Sequence, residues 1–267
     1  MSLLLAVLTT VWTVGAANAQ HFKLLKTQPV ALVSQQASVD RYGHIFVSSE
    51  NGTVYMFKAD GTEVKKYSSD FTTTWTVYGW ETIRTILFSS ELQKVEVLNR
   101  QMTRLQSIDL NELGIGYATC CSPSTDGNLW VFDQVDRSLK KVSYQLGRVV
   151  SENPLTSNLQ SVNISNPIFI QEYQNRLYIA DSEAGVMVFD NMGTFEMLLT
   201  EDLVEQFGFW KNQLYYSVGD SLKLVDLYLR KVTKKIQPQQ FESAVLMDSG
   251  YLMGIKEQQL WFYRYSE

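Results

Sequence analysis

Residues 37–67 read ASVDRYGHIFVSSENGTVYMFKADGTEVKKY. Apolar and β-branched residues cluster at Ile45-Phe46-Val47 and again at Val54-Tyr55-Met56-Phe57, and chain-reversing pairs stand at Tyr42-Gly43, Asn51-Gly52 and Asp60-Gly61. Glycine after Asn or Asp supplies the positive φ that tight hairpins require, so the stretch predicts four short antiparallel strands in one small sheet. Such a sheet cannot bury both faces alone. It must be one unit of something larger.

Working outward, the same pattern returns. Strand-like runs open at His44, Ile83, Asn128, Arg176, Gln213 and Tyr251, a spacing of about forty residues. Each is followed by a second run: Thr53–Phe57, Lys94–Leu98, Ser138–Val142, Gly185–Phe189, Ser221–Val225 and Gln259–Tyr263. A third, more polar run follows in five units, at Glu63–Tyr67, Thr103–Ile108, Arg148–Val150, Thr194–Leu198 and Val232–Ile236. Preceding strands are expected at Val30–Val33, Thr76–Tyr78, Ile168–Ile170 and Ala244–Leu246. Four strands per unit at this period predict an all-β fold, a six-bladed β-propeller. The only helix-like piece is Leu199–Phe207, where Thr200 precedes two acidic residues and predicts a turn or two of helix.

The ends predict how the ring closes. The sixth unit runs out after its third strand, and residues 21–26 (HFKLLK) form a strand with no partner in their own unit. An N-terminal strand that completes the last blade removes an open edge. Ahead of it, Leu3 to Val14 is apolar and leads to Ala17-Asn18-Ala19, a small-x-small cleavage site. Residues 1–19 are therefore expected to be a signal peptide, although no Lys or Arg precedes the apolar run, and 20–267 a single propeller domain. The product is expected to be periplasmic or secreted. No other run is long enough to span a bilayer.

The repeats carry a resemblance. Ala37-Ser38-Val39-Asp40, Gly43-His44-Ile45-Phe46-Val47, Gly52–Phe57 and Asp60-Gly61 resemble an NHL-type repeat, as do Leu177–Asp181, Val186–Asp190 and Gly193. Residues 126–131 (DGNLWV) match it in part, and units two, five and six depart from it. The resemblance implies a six-bladed, TolB-like propeller and no particular activity. The absence of a Gly-His…Trp-Asp signature argues against a WD-repeat protein.

Composition narrows the chemistry. Net charge is −5, and the densest cationic cluster is Arg230-Lys231 with Lys234-Lys235, which reads as a charged outer strand. Nucleic-acid binding would need a stronger electrostatic footprint. Two histidines, His21 and His44, are too few for a His-rich metal site or a triad, and no nucleophile elbow or phosphate loop occurs. Asp40, Asp126, Asp181, Asp190, Asp220 and Asp248 recur near strand ends, where Asp caps turns. A channel cation held by Asn166, Asp181, Asn212 and Asp220 is the alternative, as in six-bladed lactonases; otherwise no cofactor is expected. Adjacent Cys120 and Cys121 are either two residues of an inner strand or a vicinal disulfide. Trp75, Tyr78 and Trp80, with Phe209 and Trp210, lie where loops lead into new blades; they form either an interaction platform or packing between blades. The expected function is a non-catalytic scaffold subunit of a cell-envelope assembly, with a protein partner. One version caps an outer-membrane secretion channel. The alternatives are a metal-dependent lactonase or hydrolase, and a binder of a small ligand or glycan in the central channel.

Overall fold

The computed structural model describes residues 21–30, 33–79, 83–155 and 164–266. The expected signal peptide and Trp80 lie outside them. The described strands form six four-stranded antiparallel sheets, one per blade. Blade 1 comprises β2 (Val33–Val39), β3 (Ile45–Ser49), β4 (Thr53–Phe57) and β5 (Glu63–Ser68). Blade 2 comprises β6 (Thr76–Tyr78), β7 (Arg84–Ser89), β8 (Lys94–Asn99) and β9 (Arg104–Asp109). Blade 3 comprises β10 (Ala118–Pro123), β11 (Leu129–Asp133), β12 (Ser138–Ser143) and β13 (Arg148–Pro154). Blade 4 comprises β14 (Pro167–Tyr173), β15 (Arg176–Asp181), β16 (Gly185–Asp190) and β17 (Phe195–Thr200). Blade 5 comprises β18 (Gly208–Trp210), β19 (Gln213–Val218), β20 (Ser221–Asp226) and β21 (Val232–Ile236). Blade 6 takes β22 (Ser243–Met247), β23 (Tyr251–Lys256) and β24 (Gln259–Ser266) from the C-terminal end, and its outer strand, β1 (His21–Pro29), from the N-terminal end.

That closure follows the sequence expectation. β1 runs antiparallel to β24, from His21 opposite Ser266 to Pro29 opposite Gln259, with one irregularity between Leu24 and Lys26. Phe22 stacks on Tyr265 at 5.8 Å between ring centroids and meets Tyr263 edge-on. The orphan strand therefore contributes side-chain packing as well as a ladder of backbone bonds.

Within each blade the burial pattern explains the strand order. The second strands are buried almost throughout, as in β3, β7 and β11, because neighbouring blades cover both faces. Outer strands such as β5 and β21 are largely exposed. The lysine-rich run at 230–235 lies in or beside β21, as expected of a charged edge. The glycine turns are three-residue reversals rather than two-residue hairpins: Gly52 donates to the carbonyl of Ser49 and Gly61 to that of Lys58, each with φ near +85°.

Two local expectations are corrected. The inner strand of blade 1 is β2, beginning at Val33 where the expected Val30–Val33 strand ends. Residues 199–207 contain no helix. Leu199 and Thr200 finish β17, and the following segment is irregular, with bends, and is fixed by its side chains. Thr200 Oγ1 accepts the Asp202 N–H, Asp202 is gripped by Lys223 at 2.6 Å, and Val204 and Phe207 are buried in the core. These tertiary contacts outweigh a weak helical propensity. The only helix among the described residues is a single 3₁₀ turn at Asn111–Leu113.

Candidate interaction face

The ring has two faces. One carries the turns from inner to second strands and from third to outer strands; the other carries the links between blades. The axis between the faces is filled. Tyr78 stacks on Phe169 at 5.7 Å, Phe169 meets Phe207 edge-on at 4.9 Å, and Phe207 meets Phe209 at 5.6 Å. Gln206 crosses to β2, accepting from the Ala37 N–H and donating to the Ala37 carbonyl. What remains is a cavity of about 40 Å³, room for a few waters and no more.

This geometry bears on the reading of the channel. Among the described residues, the cavity inside the ring is too small for a ligand, and the larger space lies at its mouth. The four residues weighed as cation ligands do not converge either. Asp181 is fully buried at the end of β15, where it accepts the N–H groups of Ser165, Asn166, Glu183 and Ala184. Asn212 sits on the opposite face beside Gln174, and Asp220 bonds the Ser221 hydroxyl. No group of three or more His, Cys, Asp or Glu suited to a metal occurs among the described residues. The recurrent aspartates are turn caps. Asp40 accepts from Tyr42 and His44, Asp126 from Asn128, and Asp190 from Met192 and Thr194. Asp248 lines the mouth of the ring on the turn face.

The aromatic approaches are packing. Trp75 is wholly buried with Phe46, Met56 and Leu87 between blades 1 and 2. Tyr78 and Phe209 belong to the central core, and Phe209 stacks on Tyr173 at 4.1 Å and 6°. Trp210 is buried between blades 5 and 6, with Lys211 over its ring at 4.3 Å. Radiating sheets leave wedge-shaped gaps that large flat rings fill. Cys120 and Cys121 are both free and buried, on neighbouring positions of β10. Burial pushes the Cys120 thiol up to about 12 and the Cys121 thiol well above its ordinary value.

Two functional-looking carboxylates not singled out from sequence, Glu96 and Glu172, are structural staples between blades, and a third, Asp133, holds the entry to blade 3. Glu96 is fully buried; it accepts from Tyr67 Oη at 2.6 Å and from the Arg104 guanidinium at 3.1 Å. Burial and that hydrogen bond push the Tyr67 phenol up to about 12. Glu172 of blade 4 reaches into blade 3, accepting from Ser124 Oγ and Trp130 Nε1, both at 2.7 Å, and from both the backbone and hydroxyl of Thr125. At Asp133, burial alone would raise the carboxyl. Lys140 at 2.8 Å and the N–H groups of Gly116 and Tyr117 outweigh it and hold the group below the usual range.

Among the exposed apolar side chains at turn tips of the turn face, beside Leu146 and Met192, are Tyr42, Ile83, Tyr228 and Leu229. Tyr42 is 67% exposed and Ile83 65%; Tyr228 and Leu229 are 64% and 78% exposed. The turn presenting Tyr42 is rigid: Gly43 donates to the Asp40 carbonyl with φ +79°, and Asp40 Oδ2 lies 2.8 Å from His44 Nδ1. Two cavities flank it. A mouth cavity of about 380 Å³ over the axis is lined by Arg41, Tyr173, Trp210, Lys211 and Asp248. A groove of about 260 Å³ runs between blades 1 and 2. Exposed positions such as Tyr42 and Ile83 carried no sequence signal, since an isolated surface apolar residue is ordinary.

No family model matches the chain, and no curated protein matches it. Among solved structures, the Cps50 (Swd1) β-propeller domain of Myceliophteria thermophila is similar at TM-score 0.61 and 8% identity, over 92% of this chain and 100% of that one. The Pan2 WD40 domain of Neurospora crassa is similar at TM-score 0.61 and 9% identity, over 93% and 96%. At such identity the likeness concerns the fold alone. The NHL resemblance is not confirmed by these comparisons; what these structures share with this chain is the β-propeller fold, which here has six blades.

Proposed function

We propose that this chain is a non-catalytic protein-interaction propeller, exported and acting as a scaffold subunit of a cell-envelope assembly. The observation that carries the reading is the set of exposed apolar turn tips, Tyr42, Ile83, Tyr228 and Leu229, on one face of a closed and internally filled ring. Rigid, apolar, solvent-facing side chains are what a protein interface uses as anchors. The WD40 character of one solved neighbour is consistent with a binding role but does not carry it. Export is supported by the Leu3–Val14 run and the Ala17-Asn18-Ala19 site. Capping the mouth of an outer-membrane channel is the specific form of this reading.

The test is chemical cross-linking in the native envelope followed by mass spectrometry. The expected result is one partner at fixed stoichiometry, a mature N-terminus at Gln20, and loss of the complex when Tyr42, Tyr228 and Leu229 are all changed to Ser. Recovery of the propeller alone, or a complex indifferent to those changes, would overturn the reading. A second reading rests on the 380 Å³ mouth cavity, whose volume lies in the range of small-molecule sites. A rise in melting temperature with a small ligand, abolished by Lys211→Glu, would favour it.

A further inference from the structure

Beside the turn that presents Tyr42, the groove between blades 1 and 2 has a composition unlike the rest of this acidic chain. Its floor is apolar, made by Phe46, Met56 and Met102. Half-exposed Val64 and exposed Ile83 extend the apolar surface to the rim. Gly79 lines the groove too, and its backbone lies so close to the floor that a Cβ there would stand 2.5 Å from the Phe46 ring.

Three cations, Lys65, Arg84 and Arg100, line the same groove. Lys65 donates to the backbone carbonyl of Arg100 at 3.0 Å. Arg84 donates to the Tyr144 hydroxyl, with its guanidinium over that ring at 5.9 Å. Both of these partners are neutral, so the positive charge of Lys65 and Arg84 is positioned but not cancelled by them. Among the described residues that line the groove, the acidic one, Asp40, is committed to two backbone N–H groups and the His44 ring. A protein with net charge −5 has thus concentrated cations around one apolar trough.

We infer that this groove is the docking site for a peptide segment of a partner protein that carries a bulky apolar side chain flanked by Asp or Glu. The apolar side chain fills the trough over Met56 and Met102. The flanking carboxylates meet Lys65 and Arg84, which fix register and exclude basic segments. Methionines on the floor adapt to different anchors, so the charges set specificity more than the anchor's shape does. The inference deepens the scaffold reading and rests on it.

The test uses the full mature chain and a fluorescein-labelled peptide, Ser-Asp-Glu-Phe-Asp-Asp-Leu-Glu-Gly, followed by fluorescence anisotropy. Saturable binding is expected, weakening as salt rises through the Debye regime. The same peptide with every acidic residue replaced by Lys is expected not to bind. Lys65→Glu combined with Arg84→Glu is expected to weaken binding about tenfold or more, and Ile83→Ser severalfold. Arg84 also packs on Tyr144, so Lys65→Glu alone serves as the variant that keeps the fold, checked by an unchanged melting curve. Tyr228→Ser, on the same face but in blade 5, is expected to leave binding unchanged. Equal binding of the lysine peptide, or indifference to Lys65→Glu, overturns the inference. Peptide binding is read on the isolated propeller. A failed search for a stoichiometric envelope partner therefore counts against the scaffold reading, while a partner cross-linked only to other blades counts against this groove.

Discussion

Glu172 is a carboxylate buried between blades 3 and 4, and its four hydrogen bonds come from neutral donors. Changing it to Ala strands the Trp130 indole N–H and the Ser124 hydroxyl in a region that water does not reach. Each orphaned buried group costs roughly 1–3 kcal/mol, and hydrogen bonds to a charged acceptor are the stronger kind. We expect Glu172→Ala to lose about 3–5 kcal/mol. Glutamine keeps one acceptor oxygen. Facing that oxygen to Trp130 and Ser124 turns the amide N–H₂ toward the Thr125 N–H, which cannot accept, so Glu172→Gln should lose only about 1.5–3 kcal/mol. For a chain this long, one kcal/mol shifts the melting temperature by about 2–4 °C. The Ala variant should therefore melt about 6–20 °C below wild type and the Gln variant between the two. Calorimetry measures both, and a cycle with Trp130→Phe should show a coupling of about 1 kcal/mol. If Ala and Gln variants melt together within a degree of wild type, the carboxylate is not a staple between blades and the reasoning fails.

Deleting residues 20–28 should abolish the cooperative melt or drive the protein into oligomers, because β24 then presents an unpaired edge with Tyr263 and Tyr265 uncovered; light scattering and circular dichroism test this. Asp133 has a lowered folded pKa, so its contribution is present above the unfolded value near 4 and is lost as pH falls through the lower folded value; denaturant midpoints measured down that range should fall less steeply in Asp133→Asn than in wild type. The tyrosines shift the other way: with Tyr67 and Tyr178 raised to about 12, stability should hold to pH ~10 and then fall as pH rises toward 12, and an ultraviolet tyrosinate titration should show ionisation coincident with unfolding. Cys120 and Cys121 should resist a thiol reagent in the native state and react only on unfolding.

The architecture was legible because it is written in short-range chemistry. Gly43, Gly52, Gly61 and Gly193 mark reversals that only glycine accommodates cheaply, and the polar third runs mark outer strands. The orphan strand at His21 was legible by subtraction, since the sixth unit lacked its fourth. The site was less so. Trp75 and Trp210 are the same residue type whether they face a partner or the adjacent blade, and only the ring geometry buries them. Glu96 and Glu172 occupy positions where alternation implies solvent; donors from a neighbouring blade, Tyr67 for Glu96 and Ser124, Thr125 and Trp130 for Glu172, make burial tolerable. The groove cations could not be grouped at all, because Lys65, Arg84 and Arg100 belong to turns and strands of two blades.

The closure at β1 has a consequence in time. Chains emerge from synthesis N-terminus first. β1 is the first of the described strands to emerge, and its partner β24 is the last. Until β24 appears, β1 lacks its partner strand, and blades 1 to 5 stand as an open arc. A product truncated anywhere before Gln259 cannot fasten its own ring, however well its earlier blades form. Closure is thus conditional on synthesis reaching β24: a chain that stops short of it keeps an unlatched edge, and one that includes it can seal the ring.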